Sequence, residues 1–287
     1  MTLVLSHDSG SFAKIQNEGQ DLTFMLEMPG NAIAFRYIGK SISLPMWFKL
    51  IFLVRKFQYS ALHYSRFRPV GLLLKFLTGL RLFDKAIRTI PSYSQNNRIP
   101  TCIEVIEDGK NWKKLVTDTP EDWALIGLKT ILALKFLLEN YEFDYLFRTN
   151  TTSYVDTSKL LEHLEHQPKS NLYSGVVGSA FGDLEFASGA GILLSRDLVQ
   201  RICDNENKWK HGFIDDLALG EVVSNLKHPE VTLVPLPRID LYTLKAAKEI
   251  DEIVIKNGMH FRCKSSSAEE TIAIMKHIHE VKTRSQV

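Results

Sequence analysis

Two adjacent carboxylates, Asp215 and Asp216, stand in the stretch Phe213-Ile214-Asp215-Asp216-Leu217-Ala218-Leu219-Gly220. Acids at the head of an apolar run suit a helix N-terminus, where the dipole stabilises negative charge. Capping alone accounts for them. So does a general base, because a carboxylate at the mouth of a cleft takes a proton from a sugar hydroxyl. A second stretch, Arg148-Thr149-Asn150-Thr151-Thr152-Ser153, follows the aromatic, apolar run Phe143–Phe147. Strand ends in parallel α/β sheets deliver ligand-binding residues, and a plain strand end before a helix cap is the alternative. A third stretch, Ala187-Ser188-Gly189-Ala190-Gly191, is small enough for backbone to approach a ligand, or for tight packing.

The elements that must position these residues read as alternating strands and helices. Strands are expected at Thr2–Leu5, Ala32–Ile38, Cys102–Ile106, Asp144–Arg148, Leu172–Val177 and Val231–Val234. Thr119-Pro120-Glu121-Asp122 has the form of a helix start, with a cap, a first-turn proline and two acids, and opens a buried crossover reaching about Glu139. Further helices are expected over the first part of Ser11–Met28, Ser158–Glu165 capped by Asp156, Ser195 to Ile202, Asp215–Asn225, and from Ser267 to about Lys282. The pattern predicts one α/β domain spanning 1–287 with a mostly parallel central sheet.

The three stretches, in this order and spacing, resemble the fringe and β-1,3-galactosyltransferase-like glycosyltransferases. The family's Lys-Thr-Asp-Asp-Asp-Thr-Tyr-Val motif stands here as Arg148-Thr149-Asn150-Thr151-Thr152-Ser153-Tyr154-Val155. Its aromatic-x-Ser-Gly-x-Gly segment is Phe186-Ala187-Ser188-Gly189-Ala190-Gly191, followed by Ser195-Arg196. Its Glu/Asp-Asp-Val-x-x-Gly motif is Asp215-Asp216-Leu217-Ala218-Leu219-Gly220, and Leu128-Lys129-Thr130 resembles the preceding helix. The resemblance covers about residues 100–225. It implies a GT-A-like nucleotide-sugar-binding fold and inverting transfer from a donor that is a UDP-sugar by analogy. Asp216 is then the general base with Asp215 in support. Arg148, Asn150, Thr151 and Thr152 meet the donor. Ser188, Gly189 and Gly191 shape the cleft, and Trp209, His211 and Phe213 meet the acceptor, a glycan or a lipid-linked sugar.

The sequence departs from the family where the metal-binding aspartates belong. Asn150, Thr151 and Thr152 carry no charge, whereas hard cations are held through carboxylates. No metal ligands and no cofactor are therefore expected, with Mn²⁺ or Mg²⁺ as the alternative. Another cation must offset the diphosphate, and His260-Phe261-Arg262-Cys263-Lys264 supplies one. In a strand His260, Arg262 and Lys264 share a face, and Arg262 and Lys264 suit phosphate oxygens. A solvated basic edge strand explains the same pattern.

Charge distribution marks one more region. Between Asn31 and Arg98 the only acid is Asp84, against Arg36, Lys40, Lys49, Arg55, Lys56, Arg66, Arg68, Lys75, Arg81, Lys85, Arg88 and Arg98. Residues 44–90 read as an inserted basic amphipathic helical segment, too interrupted for a membrane span of ~20 apolar residues. Trp47, Phe48, Phe52, Phe57 and Phe67 interleave with its cations, as in helices lying on anionic membrane, although ordinary packing gives the same pattern. No nucleic-acid motif accompanies the charge, so nucleic acid is not expected as a partner. Three scattered cysteines, Cys102, Cys203 and Cys263, and no leader-like start point to a reducing cytoplasm, with peripheral membrane attachment. Two other functions fit the same residues: a non-catalytic glycan- or nucleotide-binding descendant, and a peripheral membrane-binding protein.

Overall fold

The computed structural model of the 287-residue chain describes residues 1–7, 12–40, 46, 102–107, 112–122, 125–180, 184–211, 213–226 and 229–284. Apart from Met46, the basic segment 44–90 lies outside the described residues. Among the described residues, eleven strands form two sheets. The strands are β1 (Thr2–His7), β2 (Ala32–Lys40), β3 (Cys102–Glu107), β4 (Trp112–Pro120), β5 (Tyr145–Thr149), β6 (Ser153–Val155), β7 (Tyr173–Ala180), β8 (Leu184–Ser195), β9 (Leu233–Pro235), β10 (Ile239–Leu241) and β11 (His260–Cys263). The larger sheet runs β3-β4-β2-β1-β5-β8-β7-β9 and the smaller β10-β11-β6. The helices are α1 (Ala13–Ile15), α2 (Ile126–Asn140), α3 (Thr157–Leu164), α4 (Arg196–Asp204), α5 (Asp215–Ser224), α6 (Leu244–Glu249), α7 (Glu252–Asn257) and α8 (Ala268–Thr283).

The α/β expectation holds, but the central sheet is mixed rather than mostly parallel. Strands β4, β2, β1 and β5 are parallel neighbours. The long strand β8 then enters antiparallel to both β5 and β7, and β3 closes the other edge antiparallel to β4. The physical reason is local. β7 and β8 are joined by a short connection, which permits a hairpin and not a crossover.

Strand β5 is buried along its length because both faces of the sheet are covered. Leu146, Ile192 and Leu194 face the helical layer of α2, α4 and α5. Phe147 and Leu193 face the other way, with Tyr154, Phe261 and the buried stripe of α8. Successive residues thus serve opposite cores, as strand pleating requires.

The expected helix start at Thr119 is a strand end. Thr119 and Pro120 close β4, a strand the sequence reading did not find. Glu121 does not serve a helix dipole; its carboxylate accepts from Gly39 N at 2.6 Å and from Lys129 Nζ at 2.7 Å. Helix α2 begins at Ile126 behind Leu125, with no side-chain cap. Gly39 lets this join close, since a Cβ there would lie 2.7 Å from the Pro120 carbonyl oxygen. The first part of segment 11–28 is helical as expected, α1 running on into a π turn (Gln16–Gln20), and a 3-10 turn (Phe24–Glu27) follows. Asp156 and Ser267 cap α3 and α8 as their types predict, by accepting from Lys159 N and Glu270 N.

Candidate functional site

The ends of β5 and β8, the head of α5 and the second sheet converge on the sequence-marked residues. Asp215 and Asp216 open α5, where the preceding Ile214 offers no capping side chain. They then diverge in role. Asp215 is buried and its Oδ2 pairs with Arg148 Nη2. The other arm of Arg148, Nη1, donates to the Gly189 carbonyl. Arg148 therefore ties the head of α5 to β8 from the end of β5. Burial alone would lower its pKa, but Asp215, Tyr37 and Asp216 outweigh that and raise it. It is a fixed, neutralised cation, which removes it from the residues free to meet a diphosphate.

Asp216 points along the same backbone. Its Oδ2 accepts from Gly189 N at 2.8 Å and its Oδ1 from Leu217 N at 2.9 Å. The residue keeps part of its surface open. Burial and then the Asp215 charge raise its pKa to about 6, against the pull of Arg148 and the two N–H groups. A carboxylate poised near neutrality is what proton abstraction from a hydroxyl needs.

Gly189 owes its size to the protein's own side chains. A Cβ there would meet Arg148 Nη1 and lie 3.1 Å from Asp216 Oδ2. Gly191 likewise makes room for His260, whose Nδ1 would stand 2.7 Å from a Cβ at that position. The small residues thus admit side chains where close approach of a ligand was expected.

Asn150–Thr152 form the turn joining β5 to β6. Asn150 Oδ1 accepts from Thr152 N at 3.2 Å, Thr152 Oγ1 at 3.1 Å and Ser153 Oγ at 3.0 Å. Its acceptor is therefore directed inward, as in an Asx turn. Thr151 is buried and Thr152 half-buried. Cys263 N donates to the Thr152 carbonyl at 2.7 Å, which brings the end of β11 and Lys264 beside this turn. The divalent cation that the resemblance implies does not fit here. The turn offers neutral oxygens already used, Asp215 is paired, and among the described residues no three of His, Cys, Asp and Glu are grouped to hold a metal.

Strand β11 is the middle strand of its sheet, not an edge. His260 is buried, with its ring edge-on to Phe147 at 5.3 Å and Nε2 3.3 Å from Ser153 Oγ. Burial first, then the charge of Arg238, lowers its pKa to about 3, so it stands neutral. Arg262 is half-buried and Lys264, beyond the strand, exposed.

The acceptor candidates separate. Trp209 is in the helical core, its Nε1 2.8 Å from where a Gly127 Cβ would stand, and has no face for a sugar. Phe213 packs one side on that core and carries Lys210 Nζ 5.5 Å from its ring centre. His211 is half-buried between them in sequence. Ser188 turns its hydroxyl to a residue the sequence reading missed, Arg238, whose Nη1 donates to it at 3.1 Å. Strand alternation would have found it, since Arg238 and Asp240 sit two apart on an extended segment ending in β10. The contribution of Tyr37, whose hydroxyl bonds Thr130 Oγ1 at 2.8 Å close to Arg148, had no local signal.

No helix among the described residues is long and apolar enough to cross a membrane. A scan against protein-family models and a search of curated proteins each give no match to the chain.

Proposed function

We propose that the chain is a glycosyltransferase, moving a sugar from a nucleotide-sugar donor, by analogy a UDP-sugar, to a hydroxyl of a glycan or lipid-linked acceptor. The observation that carries this reading is the placement of Asp216: a half-buried carboxylate at the head of α5, held by Gly189 N and Leu217 N beside the Arg148–Asp215 pair, where burial and the Asp215 charge push its pKa up. As the acceptor oxygen attacks the anomeric carbon, Asp216 takes its proton and the nucleoside diphosphate leaves from the opposite side. Configuration inverts in the single displacement. Asp215 supports this step indirectly, by fixing Arg148 and through it the β8 backbone that holds Asp216. Arg262 and Lys264 offset charge on the leaving diphosphate, without a metal step. The setting is the cytoplasm, with the basic segment 44–90 resting on anionic membrane.

One observation favours a second reading, a non-catalytic glycan- or nucleotide-binding descendant. The Asn150 acceptor is spent on its own turn. A panel of nucleotide sugars, followed by thermal shift and by release of nucleoside diphosphate with and without acceptor and EDTA, separates the two. Release that survives EDTA supports transfer. Binding without release supports the descendant. Activity abolished by EDTA and restored by Mn²⁺ overturns the metal-free form.

A further inference from the structure

Arg238 lies between β9 and β10 with its side chain only 5% exposed. Its Nε and Nη2 fork onto Asp240, at 2.5 Å to Oδ1 and 3.0 Å to Oδ2, while Nη1 reaches Ser188 Oγ. Asp240 is also the register partner of Arg262 on the neighbouring strand β11, so the two side chains share a face. On its other side Arg262 is paired with Ser153 of β6. Arg262 Nε is buried without a hydrogen-bond partner. A buried N–H of a charged group left without an acceptor is costly; Arg36, Arg148 and Arg196 share this feature, and what sets Arg262 apart is its place on one face with the Arg238–Asp240 clasp.

Arg238 thus clasps Asp240 beside the Ser188 hydroxyl, and Arg262 shares that face from the neighbouring strand. The fork that Asp240 fills bidentately is the geometry in which arginine takes phosphate. Asp240 is the partner able to move. Its side chain is 29% exposed, and beyond Arg238 it is held by the exposed Tyr242 hydroxyl, at 3.1 Å from Oδ2.

We propose that Arg238 and Arg262 form a subsite for a pyrophosphate-type anion, and that Asp240 fills it as an internal competitor until the anion displaces it. Under the function proposed above the anion is the diphosphate of the donor, and that identification rests on that reading. The subsite itself needs no sugar and no transfer. It adds Arg238 to the charge set and makes Asp240 a gate: donor binding must break the Asp240 clasp, and departure of the nucleoside diphosphate lets it re-form.

The test is calorimetric titration of the full chain with inorganic pyrophosphate at low salt. Like charges brought together cost several kcal/mol, so removing the competing one in Asp240→Asn should tighten binding at least ~10-fold. Tyr242→Phe, an exposed change that leaves the fold alone, should tighten it by a smaller factor. Arg262→Gln should abolish binding. Should Asp240→Asn melt too low to titrate, Tyr242→Phe and Arg262→Gln decide. Affinities within twofold of the unaltered chain in these variants, or no pyrophosphate binding by any of them, would overturn the subsite. Tightened pyrophosphate binding without nucleotide-sugar turnover would leave the subsite standing and sink the transferase reading alone.

Discussion

Removing Arg148 should be the most destructive single change near the site, and its cost can be worked from the pair it breaks. Arg148 is 4% exposed and Asp215 8%. Arg148→Met keeps most of the side-chain volume but strands the Asp215 carboxylate in the core. Breaking a buried pair on one side costs about 3–5 kcal/mol. At ~2–4 °C per kcal/mol for a chain of this class, melting should fall by roughly 6–20 °C. The Gly189 carbonyl loses its donor as well, adding to the loss. Removing both charges in Arg148→Met/Asp215→Leu should recover most of the stability, because replacing a buried pair by apolar residues is often neutral. Asp216 would lose its nearby cation but also its nearby anion, so its pKa should rise in the single variant and move less in the double. Urea unfolding of the four chains in the cycle, with activity against pH, measures both effects. Equal stability of single and double variants would refute the view that an unpaired Asp215 is the cause.

Asp216→Asn should keep the fold and donor binding and lose at least ~10²-fold in turnover; near-normal transfer would move the base elsewhere. A general base acts ionised, so with the Asp216 pKa raised to about 6, kcat/KM should climb as pH rises through that value and level above it. The stability that this raised pKa contributes is fully present below the ordinary aspartate value and lost as pH climbs through about 6, so denaturant midpoints should fall over that window. His260, neutral by burial, should show no titration of its ring NMR signals between pH 5 and 8. Gly189→Ala should displace Arg148 or Asp216, lowering turnover more than the same change at the open Gly30, which has nothing within 4 Å.

The legible parts of the fold were those written in local periodicity and capping chemistry. Asp156 and Ser267 announced α3 and α8, and the apolar run of Phe143–Phe147 announced a buried β5. Thr119-Pro120-Glu121-Asp122 misled because threonine, proline and acids suit a helix head and a strand end alike. What decided the matter was distant: Gly39 N and Lys129 Nζ claim Glu121, and neither is visible in that stretch. The mixed sheet was hidden because β8 was not read as a strand: its small residues Ala187–Gly191 suggested close approach or tight packing instead, so the hairpin with β7 went unseen. The carboxylates of α5 and the small residues of β8 were found from residue type, but their division of labour was not. That Asp215 is spent on Arg148 while Asp216 stays poised depends on a contact between residues 67 apart in the chain.

The turn at Asn150–Thr152 gives the order of assembly a direction. Its far side is sealed by β11, through Cys263 N on the Thr152 carbonyl and the pairing of Arg262 with Ser153. During synthesis β5 and β6 emerge long before their partner. The chain therefore carries this polar hinge unpaired while more than a hundred further residues are made, at ~5–20 residues per second. Nothing that depends on the second sheet can exist until that strand arrives and α8 packs behind it. A nascent chain cut before β11 would hold Asp215 and Asp216 but not the second sheet, so the Asn150–Thr152 turn gains its far wall only once Cys263 has been made.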